Sequence, residues 1–278
     1  MQPTSDLDLL RQSWNAATRN HNAHKGDQIS FFQSGGDVLF PEELELLGDL
    51  KGKKLVHLQC NAGQDTLCLA RRGAEVVGVD LSDEAIRFAR ALAEGTTIPA
   101  RFEEAEVVGW LERTEERFDL AFSSYGATPW LPDLDAWARG VRRVLRPGGR
   151  LVYVEFHPAV WSFGADLRLT GDDYFAREPF VDPVGDYVAT SGDGLGAVTL
   201  GPTVPNEVPA KSWQRGLGEI LQSLIGAGLV LETVREYPHS NGCKVIGGLV
   251  RGEGRRWLWP EGTARLPLMF GVSARAPA

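Results

Sequence analysis

The residues with the clearest chemical potential lie between Lys54 and Ser82, where a strand pattern, a turn of small residues, a helix pattern and a second strand pattern follow one another. The turn runs from Cys60 to Gly63, and Asp80 ends the second strand. Backbone N–H groups at a helix N-terminus suit a phosphate or carboxylate, and an acidic residue about 20 positions after such a turn can hold ribose hydroxyl groups. The pattern indicates a nucleoside site at the carboxyl edge of a parallel sheet. An ordinary strand–helix–strand unit with an acidic strand end is the alternative interpretation.

Composition excludes several classes of function. The chain has 278 residues and 43% hydrophobic content, which allows one large core with a small appendage. Its net charge of −8 disfavours a nucleic-acid-binding surface. Neither a long apolar run nor a signal-peptide pattern is found, so we expect no membrane association. The three cysteines lack C-x-x-C spacing, which fits a cytoplasmic protein, and no metal-ligand spacing stands out.

Strand and helix patterns alternate through residues 51–157, which predicts a core that binds the ligand. Its five strands are predicted at Leu55–Leu58, Val76–Val79, Ala100–Glu104, Phe118–Ser123 and Leu151–Phe156. Residues 1–50 form a helical arm that either covers a pocket mouth or packs against the sheet. Residues 158–211 combine Gly, Pro and Asp with scattered aromatic residues, which predicts a lid inserted after the fifth strand. Residues 212–278 hold a closing helix, final strands and a tail, all within a single domain.

The final strands are predicted at Val230–Arg235 and Lys244–Val250. The connection between them, from Glu236 to Gly242, is too short for a crossover helix. Two strands joined by so short a connection must pair antiparallel. The sequence therefore predicts a parallel sheet that ends with an antiparallel strand.

The chain resembles the class I S-adenosylmethionine-dependent methyltransferases, particularly the type 11 branch that acts on small molecules. The matching stretches are LVHLQCNAGQDTLCLA, VVGVDLS, FDLAFSSYGA, RRVLRPGGRLVYVE and LIGAGLVLETVREYP. They cover about residues 50–157 and 212–250 in the order of the family. The resemblance implies a Rossmann-like, doubly wound α/β sheet of seven strands with the last strand antiparallel. It also implies S-adenosyl-L-methionine as cofactor and a small-molecule acceptor at O, N or S, with the protein a monomer or homodimer.

The first motif departs from the family pattern of an acid followed by Gly-x-Gly-x-Gly. His57 stands at the acid, Gln59 and Asn61 stand at the first two glycines, and only Gly63 remains. Asn61 tolerates a left-handed backbone better than most residues. Gln59 lacks this tolerance, so its presence requires an extended backbone at that position.

The resemblance assigns a role to each residue along the sheet edge. Gln59, Asn61 and Gly63 would line the methionine moiety. Asp80 would hold the ribose with Leu81 against the adenine, unless Asp80 only places a charge near the next helix. The remaining implied contacts are Glu106 to the adenine amino group, Val107 beside the ring, and Ser123 and Ser124 beside the methyl group. The alternative for Glu106 is a solvated loop acid.

A sulfonium methyl group is already activated, so the protein must align the acceptor and exclude water. A base is needed only when the acceptor is protonated. His157 follows the fifth strand at the carboxyl edge and is the first candidate, unless the following turn holds it. Further candidates are Tyr125, His21, His24 and His239. An apolar or cationic substrate would find an aromatic wall in Trp130, Trp161 and Trp213.

Two other functions fit parts of the sequence. A catalytically degenerate S-adenosylmethionine-binding module would explain the altered residues His57, Gln59 and Asn61. A nicotinamide-dependent dehydrogenase is disfavoured by the missing G-x-G-x-x-G and by the antiparallel ending.

Overall fold

The computed structural model describes residues 4–191, 195 and 203–278. The strands are β1 (Lys54–Leu58), β2 (Glu75–Asp80), β3 (Arg101–Glu104), β4 (Phe118–Ser124), β5 (Leu145–Phe156), β6 (Phe180–Pro183), β7 (Pro209–Ser212), β8 (Val230–Tyr237), β9 (His239–Asn241), β10 (Val250–Arg251), β11 (Arg256–Leu258) and β12 (Met269–Arg275). The helices are α1 (Asp6–Ala23), α2 (Gln28–Gln33), α3 (Pro41–Leu47), α4 (Gln64–Arg71), α5 (Asp83–Thr96), α6 (Val107–Arg113), α7 (Leu134–Val144), α8 (Tyr187–Ser191) and α9 (Leu217–Gly226).

A seven-stranded sheet forms the centre of the molecule, with the strand order β3-β2-β1-β4-β5-β12-β8. Strands β1 to β5 pair in parallel, and β12 pairs antiparallel with both β5 and β8. This topology confirms the predicted doubly wound α/β fold. The strand order reverses between β1 and β4, and ligands of such sheets bind in the crevice at that point.

The position predicted for the last strand is wrong. Lys244–Val250 forms no strand except at its final residue, and β12 lies beside β5 instead. The reason is the packing of Gly247 and Gly248, where an added Cβ would lie 2.8 Å from Ala165 and 2.6 Å from Leu167. This segment therefore packs against the inserted loop. The preceding connection leads into a small sheet of order β10-β11-β9, and the chain returns to the main sheet only at β12.

Helices cover both faces of the main sheet, as a parallel sheet requires. One face packs against α6, α7 and α9 through buried residues such as Trp137 and Leu224. The other packs against α3, α4 and α5 through residues such as Leu47, Leu67 and Ile86. No helix among the described residues is both long and apolar enough to cross a membrane.

The helices of the N-terminal arm differ in position: α1 lies at the carboxyl edge of the sheet, and α3 packs against the sheet. In α1, the Asn15 amide donates to Asp83 (2.7 Å) and accepts from the Ser82 hydroxyl (2.6 Å), which holds this helix over the carboxyl end of β2. Helix α3 instead packs on the sheet. Strands β6 and β7 of the insertion pair antiparallel and lie against α1, where the Ser13 hydroxyl accepts from the Val184 N–H (3.0 Å). The arm and the insertion thus meet above the carboxyl edge.

Candidate active site

A cavity of about 1180 Å³ lies at the carboxyl edge of the sheet, enclosed by α1, the insertion and the small three-stranded sheet. Single-ligand pockets have volumes of about 300–1,000 Å³, so this cavity has room for two small molecules. The predicted residues that line it are Gln59, Asn61, Asp80, Leu81, Glu106, Val107, Ser124 and Tyr125. The predicted aromatic wall is also present, in Trp130, Trp161 and Trp213.

The turn after β1 is left-handed at three positions. The φ angles are +54° at Gln59, +48° at Asn61 and +80° at Gly63. The expectation of an extended backbone at Gln59 is therefore wrong. The Gln59 amide Nε2 donates to the Ala127 carbonyl (2.9 Å), which ties the turn to the loop after β4 and offsets part of the strain. Its Oε1 is buried and has no hydrogen-bond partner among the described residues.

Gly63 positions the helix α4 and does not itself line the cavity. A Cβ at this position would lie 2.7 Å from the Ala89 Cβ and 2.8 Å from the Phe102 ring. Such distances are closer than packed atoms tolerate, so no other residue fits without displacement of α5 or β3. The glycine therefore allows the start of α4 to approach both elements.

Asp80 joins the turn to the start of α5 while it faces the cavity. Its Oδ2 accepts from the Asn61 N–H (2.8 Å), and its Oδ1 accepts from the Ser82 N–H (2.9 Å). Burial raises the pKa of Asp80 to about 6. A carboxylate offers about four lone-pair sites, so these two bonds leave capacity for a ligand.

Glu106 is the N-terminal cap of α6. Its two oxygens accept from the N–H groups of Val108 (2.8 Å) and Gly109 (2.6 Å). Glu106 is therefore not a solvated acid in a loop, which was the alternative interpretation. Contact with an adenine amino group stays a prediction, and such a contact would share oxygens that already cap the helix.

Of the two serines at the end of β4, only Ser124 reaches the cavity. Its hydroxyl donates to Asp65 Oδ2 (3.2 Å) and lies 3.5 Å from His57 Nε2. Ser123 is wholly buried on the opposite side of the strand, and its hydroxyl has no partner among the described residues. Because successive side chains of a strand alternate between faces, a role for Ser123 beside the methyl group is wrong.

His157 is a structural residue, and its prediction as the base is wrong. Its Nδ1 accepts from the Ala159 N–H (3.2 Å), and its Nε2 lies 3.1 Å from Glu236 Oε1. The side chain is buried away from the cavity, and this burial lowers its pKa. The three other predicted histidines also lie outside the cavity lining, and they are His21, His24 and His239.

Tyr125 lines the cavity and keeps its proton. Its hydroxyl accepts from the Asn241 amide (2.9 Å). Burial raises the pKa of Tyr125 well above its usual value, and the nearby Glu43 carboxyl adds to this effect. The hydroxyl is therefore a hydrogen-bond donor rather than a base near neutral pH.

Two charged residues of the cavity were missed by the sequence analysis. The Lys25 ammonium group has no ion pair with any residue that the structure describes, and burial lowers its pKa to about 8. Glu43 is 1% exposed, and burial raises its pKa well above the usual value for a glutamate. The sequence offered only a first-turn acid after Pro41, which is typical of helix capping.

Part of the sequence matches known proteins. Residues 56–149 match the family described as a methyltransferase domain. An uncharacterized methyltransferase of Synechocystis is 35% identical over 51% of this chain and 66% of its own length. A demethylmenaquinone methyltransferase of Thermus thermophilus is 35% identical over 45% of this chain and 56% of its own length. A ubiquinone biosynthesis O-methyltransferase of Alkalilimnicola ehrlichii is 29% identical over 39% of this chain and 44% of its own length. The matches thus span between 44% and 66% of these relatives.

Solved structures share the fold. An S-adenosylmethionine-dependent methyltransferase of Mesorhizobium loti superimposes with a TM-score of 0.55 at 23% identity, over 87% of this chain and 99% of that one. A second structure, of a putative S-adenosylmethionine-dependent methyltransferase from Listeria monocytogenes, superimposes with a TM-score of 0.56 at 19% identity. The match covers 85% of this chain and 97% of that chain. These comparisons show that the chain shares the fold of S-adenosylmethionine-dependent methyltransferases and that its residues 56–149 match a methyltransferase domain.

Proposed function

We propose that this protein transfers the methyl group of S-adenosylmethionine to a small-molecule O, N or S acceptor by in-line displacement. The observation that supports this best is one cavity, large enough for two ligands, with Asp80 bonded to the turn after β1 on its wall. We further propose that it acts in the cytoplasm as a monomer or homodimer, without nucleic acid. Relatives named as O-methyltransferases support an oxygen acceptor.

The residues at the cavity wall fit the chemical groups of the cofactor. The ribose hydroxyls suit the Asp80 carboxylate, which has unused lone pairs. The methionine carboxylate suits Lys25, which has no ion pair with a described residue. The methionine amino group suits Gln59 Oε1, a buried acceptor that is unpaired among the described residues. Glu106 and Val107 would lie at the adenine.

When bound, the cofactor supplies a methyl group on a positively charged sulfur, which makes it reactive toward a nucleophile. The protein's part is to orient the acceptor and exclude water. We assign the covering role to α1 and to the described part of the insertion, where residues of β6 and β7 line the cavity. The hydroxyl of Tyr125 donates to the acceptor, and the tryptophan side chains Trp130, Trp161 and Trp213 hold its apolar part.

A catalytically degenerate cofactor-binding module is the second candidate. The left-handed backbone at Gln59, a conformation that usually requires glycine, favours it. Transfer of labelled methyl groups to any small molecule would exclude this candidate, and binding without transfer would support it.

The direct test of the proposed function is calorimetric titration with S-adenosylmethionine and with S-adenosylhomocysteine. We expect both to bind, and we expect tritium from the labelled methyl group to enter a small-molecule fraction of a cell extract. Absence of binding at millimolar cofactor would contradict the proposal.

The affinity for the cofactor is expected to fall as the pH drops below about 6. Asp80 has a pKa of about 6 because it is buried, and ribose hydroxyls donate best to the ionised carboxylate. The effect of Asp80 on the stability of the cofactor-free protein has the opposite pH dependence. The folded state binds the proton of the Asp80 carboxyl group more tightly than the unfolded chain does. That contribution is present at low pH and is lost as pH rises through 6. Titration calorimetry and urea unfolding from pH 5 to 8 measure the two trends, and equal affinity at pH 5 and 7 would contradict the first.

Replacement of His157 by asparagine is expected to leave methyl transfer within about twofold of the wild type. Asparagine is a good N-terminal cap, so it can still accept from the Ala159 N–H. The tritium-transfer rate is the measurement. A loss of a hundredfold with unchanged thermal stability would restore His157 as the base.

A further inference from the structure

Arg255 places a half-buried guanidinium group on the wall of the cavity. Its Nη2 donates to the Val38 carbonyl (2.7 Å), and its guanidinium carbon lies 4.6 Å from the centre of the Phe40 ring. The Nε and Nη1 groups bond to no residue that the structure describes, and both stay accessible to solvent. Charges taken out of bulk water are usually paired, yet Arg255 forms no ion pair with a described residue. Two of its donor groups can therefore bind a ligand in the cavity.

The neighbouring arginine has the usual structural arrangement. Arg256 Nη2 donates to Glu42 Oε1 (2.5 Å), its Nε donates to Asn241 Oδ1 (3.4 Å), and the residue lies outside the cavity lining. These bonds already attach the small three-stranded sheet to α3. The attachment therefore does not explain why the adjacent Arg255 presents unpaired donors at the cavity.

The backbone of Arg255 is left-handed, with a φ angle of +61°. The residue lies in the turn between β10 and β11, directly after Gly254, whose φ angle is +66°. Glycine and asparagine are the usual residues in such a turn, because the conformation is unfavourable for most residues with a Cβ. Backbone strain of this kind is concentrated at ligand sites. A long cationic side chain at this position therefore favours a binding role.

Arg255 also lies near the methionine end of the proposed cofactor site. Burial is the main cause that lowers the pKa of Lys25 to about 8, and the positive charge of Arg255 lowers it further. The two cations are therefore close together, and Lys25 is the residue proposed for the methionine carboxylate. Asp65, which also lines the cavity, accepts from the Ser124 hydroxyl (3.2 Å) and forms no ion pair with Arg255. An anionic group bound to Arg255 would thus lie close to the sulfur-bearing part of the cofactor.

Three aromatic rings continue the cavity wall from Arg255. The Phe40 ring, over which the guanidinium lies, is 6.4 Å from the Tyr125 ring, and the Tyr125 ring is 5.3 Å from the Phe156 ring. All three residues line the cavity. Tyr125 directly follows β4, whose last residue, Ser124, also lines it. A planar ring can pack against this wall while a group at its edge reaches Arg255.

We propose that the methyl acceptor is an aromatic carboxylate, and that Arg255 binds its carboxylate group while another group of the same molecule receives the methyl group. The inference rests on the proposed function and adds the acceptor class to it. The nucleophilic atom forms a bond to the methyl carbon, the electron pair of the broken carbon–sulfur bond stays on sulfur, and the proton of the nucleophile passes to solvent. Arg255 takes no part in this step and only positions the acceptor.

The charge at this site favours a carboxylate over a phosphate. Two N–H groups of a planar guanidinium match the two oxygens of one carboxylate. A phosphate ester carries about 1.5–2 negative charges near pH 7, so it needs a second cation. The ammonium group of Lys244 lies 5.1 Å from the centre of the Trp257 ring, which is outside the cavity lining, and Lys25 is assigned to the cofactor. Among the described residues beside the aromatic wall, Arg255 is then the cation for the acceptor, and it balances a single negative charge.

The test compares benzoate with its neutral analogue benzamide by NMR titration at pH 7.5, with and without S-adenosylhomocysteine. We expect the wild type to bind benzoate at least about tenfold more tightly, because a hydrogen bond to a charged group contributes at least that factor. We also expect benzoate to bind more tightly than phenyl phosphate and than cyclohexanecarboxylate, which lacks a planar ring. Arg255→Gln is expected to abolish the preference for benzoate over benzamide. Its affinities for benzamide and S-adenosylhomocysteine are expected to stay within about twofold of the wild type.

Arg256→Gln is the matched control, because it removes a neighbouring positive charge and a bond between the small sheet and α3. We expect this variant to keep the preference for benzoate. Arg255→Lys keeps the charge but loses the planar pair of donors, so we expect it to keep only part of the preference. Thermal melting shows whether each variant is folded. The wild-type comparison of benzoate with benzamide tests the inference even if Arg255→Gln does not fold.

Equal affinity of the wild type for benzoate and benzamide would overturn the inference and leave the proposed function standing. Tighter binding of phenyl phosphate or cyclohexanecarboxylate, or an unchanged preference in Arg255→Gln, would have the same consequence. Loss of the preference in Arg256→Gln as well would make both arginines structural. A loss of about tenfold in the affinity of Arg255→Gln for S-adenosylhomocysteine would assign Arg255 to the cofactor. Each of these two results would also overturn the inference.

A second measurement follows the tritium-labelled product that forms in a cell extract. A carboxylic acid has a pKa of about 4, so it enters ethyl acetate at about pH 2 and stays in water at about pH 8. We expect the label to partition in this way. Label that enters the organic phase at both pH values, or at neither, would overturn the acceptor class. Benzoate binding that depends on Arg255, without any transfer of label, would contradict the proposed function alone.

Discussion

Replacement of Asp80 by asparagine is expected to weaken binding of S-adenosylmethionine by about 10- to 150-fold. A hydrogen bond to a charged group contributes about 1.5–3 kcal/mol, and 1.4 kcal/mol corresponds to a factor of ten in affinity. The carboxylate already accepts from the N–H groups of Asn61 and Ser82. Asparagine has a single carbonyl oxygen, so it cannot keep both bonds and also accept from ribose hydroxyls. Titration calorimetry at pH 7.5 measures the loss.

Glu104→Gln is the matched control for this substitution. Glu104 ends β3 directly beside Asp80 in the sheet, is exposed and lies outside the cavity lining. We expect the Glu104→Gln variant to bind the cofactor with the same affinity as the wild type. If Asp80→Asn binds within twofold of the wild type, the ribose does not lie at the end of β2. Melting of the cofactor-free variants separates a lost contact from a lost fold.

The parallel half of the sheet was predictable because each of its signals is local. An apolar strand, a small-residue turn, a helix and an acidic strand end follow one another within 30 residues, and Asp80 is found where that order places it. Strand β12 was missed because its partners are set by distant packing. Its neighbour in the chain is the small sheet, while its hydrogen-bonded neighbours are β5 and β8.

The parts of the site that sequence did not predict depend on side-chain direction or on long-range contact. Ser123 and Ser124 are adjacent in the chain, and only the pleat decides which one faces the cavity. His157 stands at the expected edge of the sheet, but the turn after β5 holds its ring. Glu43 and Tyr125 come together from segments about 80 residues apart, and no sequence spacing records that contact.

Replacement of Gly63 by alanine is expected to reduce the free energy of unfolding by about 2–5 kcal/mol. A left-handed backbone costs a residue with a Cβ about 1–2 kcal/mol, and the φ angle here is +80°. Overpacking adds about 1–3 kcal/mol, because the new Cβ would lie 2.7 Å from that of Ala89. Urea denaturation followed by circular dichroism measures the change.

Two glycines of the same chain separate these contributions. Gly52 has a φ angle of +70° and no atom within 4 Å of its added Cβ, so Gly52→Ala is expected to show the backbone cost alone. Gly78 on β2 lacks a left-handed φ, and its added Cβ would lie 2.8 Å from Cys60 Sγ, so Gly78→Ala shows the packing cost alone. The loss in free energy of unfolding for Gly63→Ala is then expected to be close to the sum of the losses for Gly52→Ala and Gly78→Ala. If it costs no more than Gly52→Ala, close packing does not fix the start of α4. The position of Asp65 and of the whole turn beside Asp80 would then need another cause.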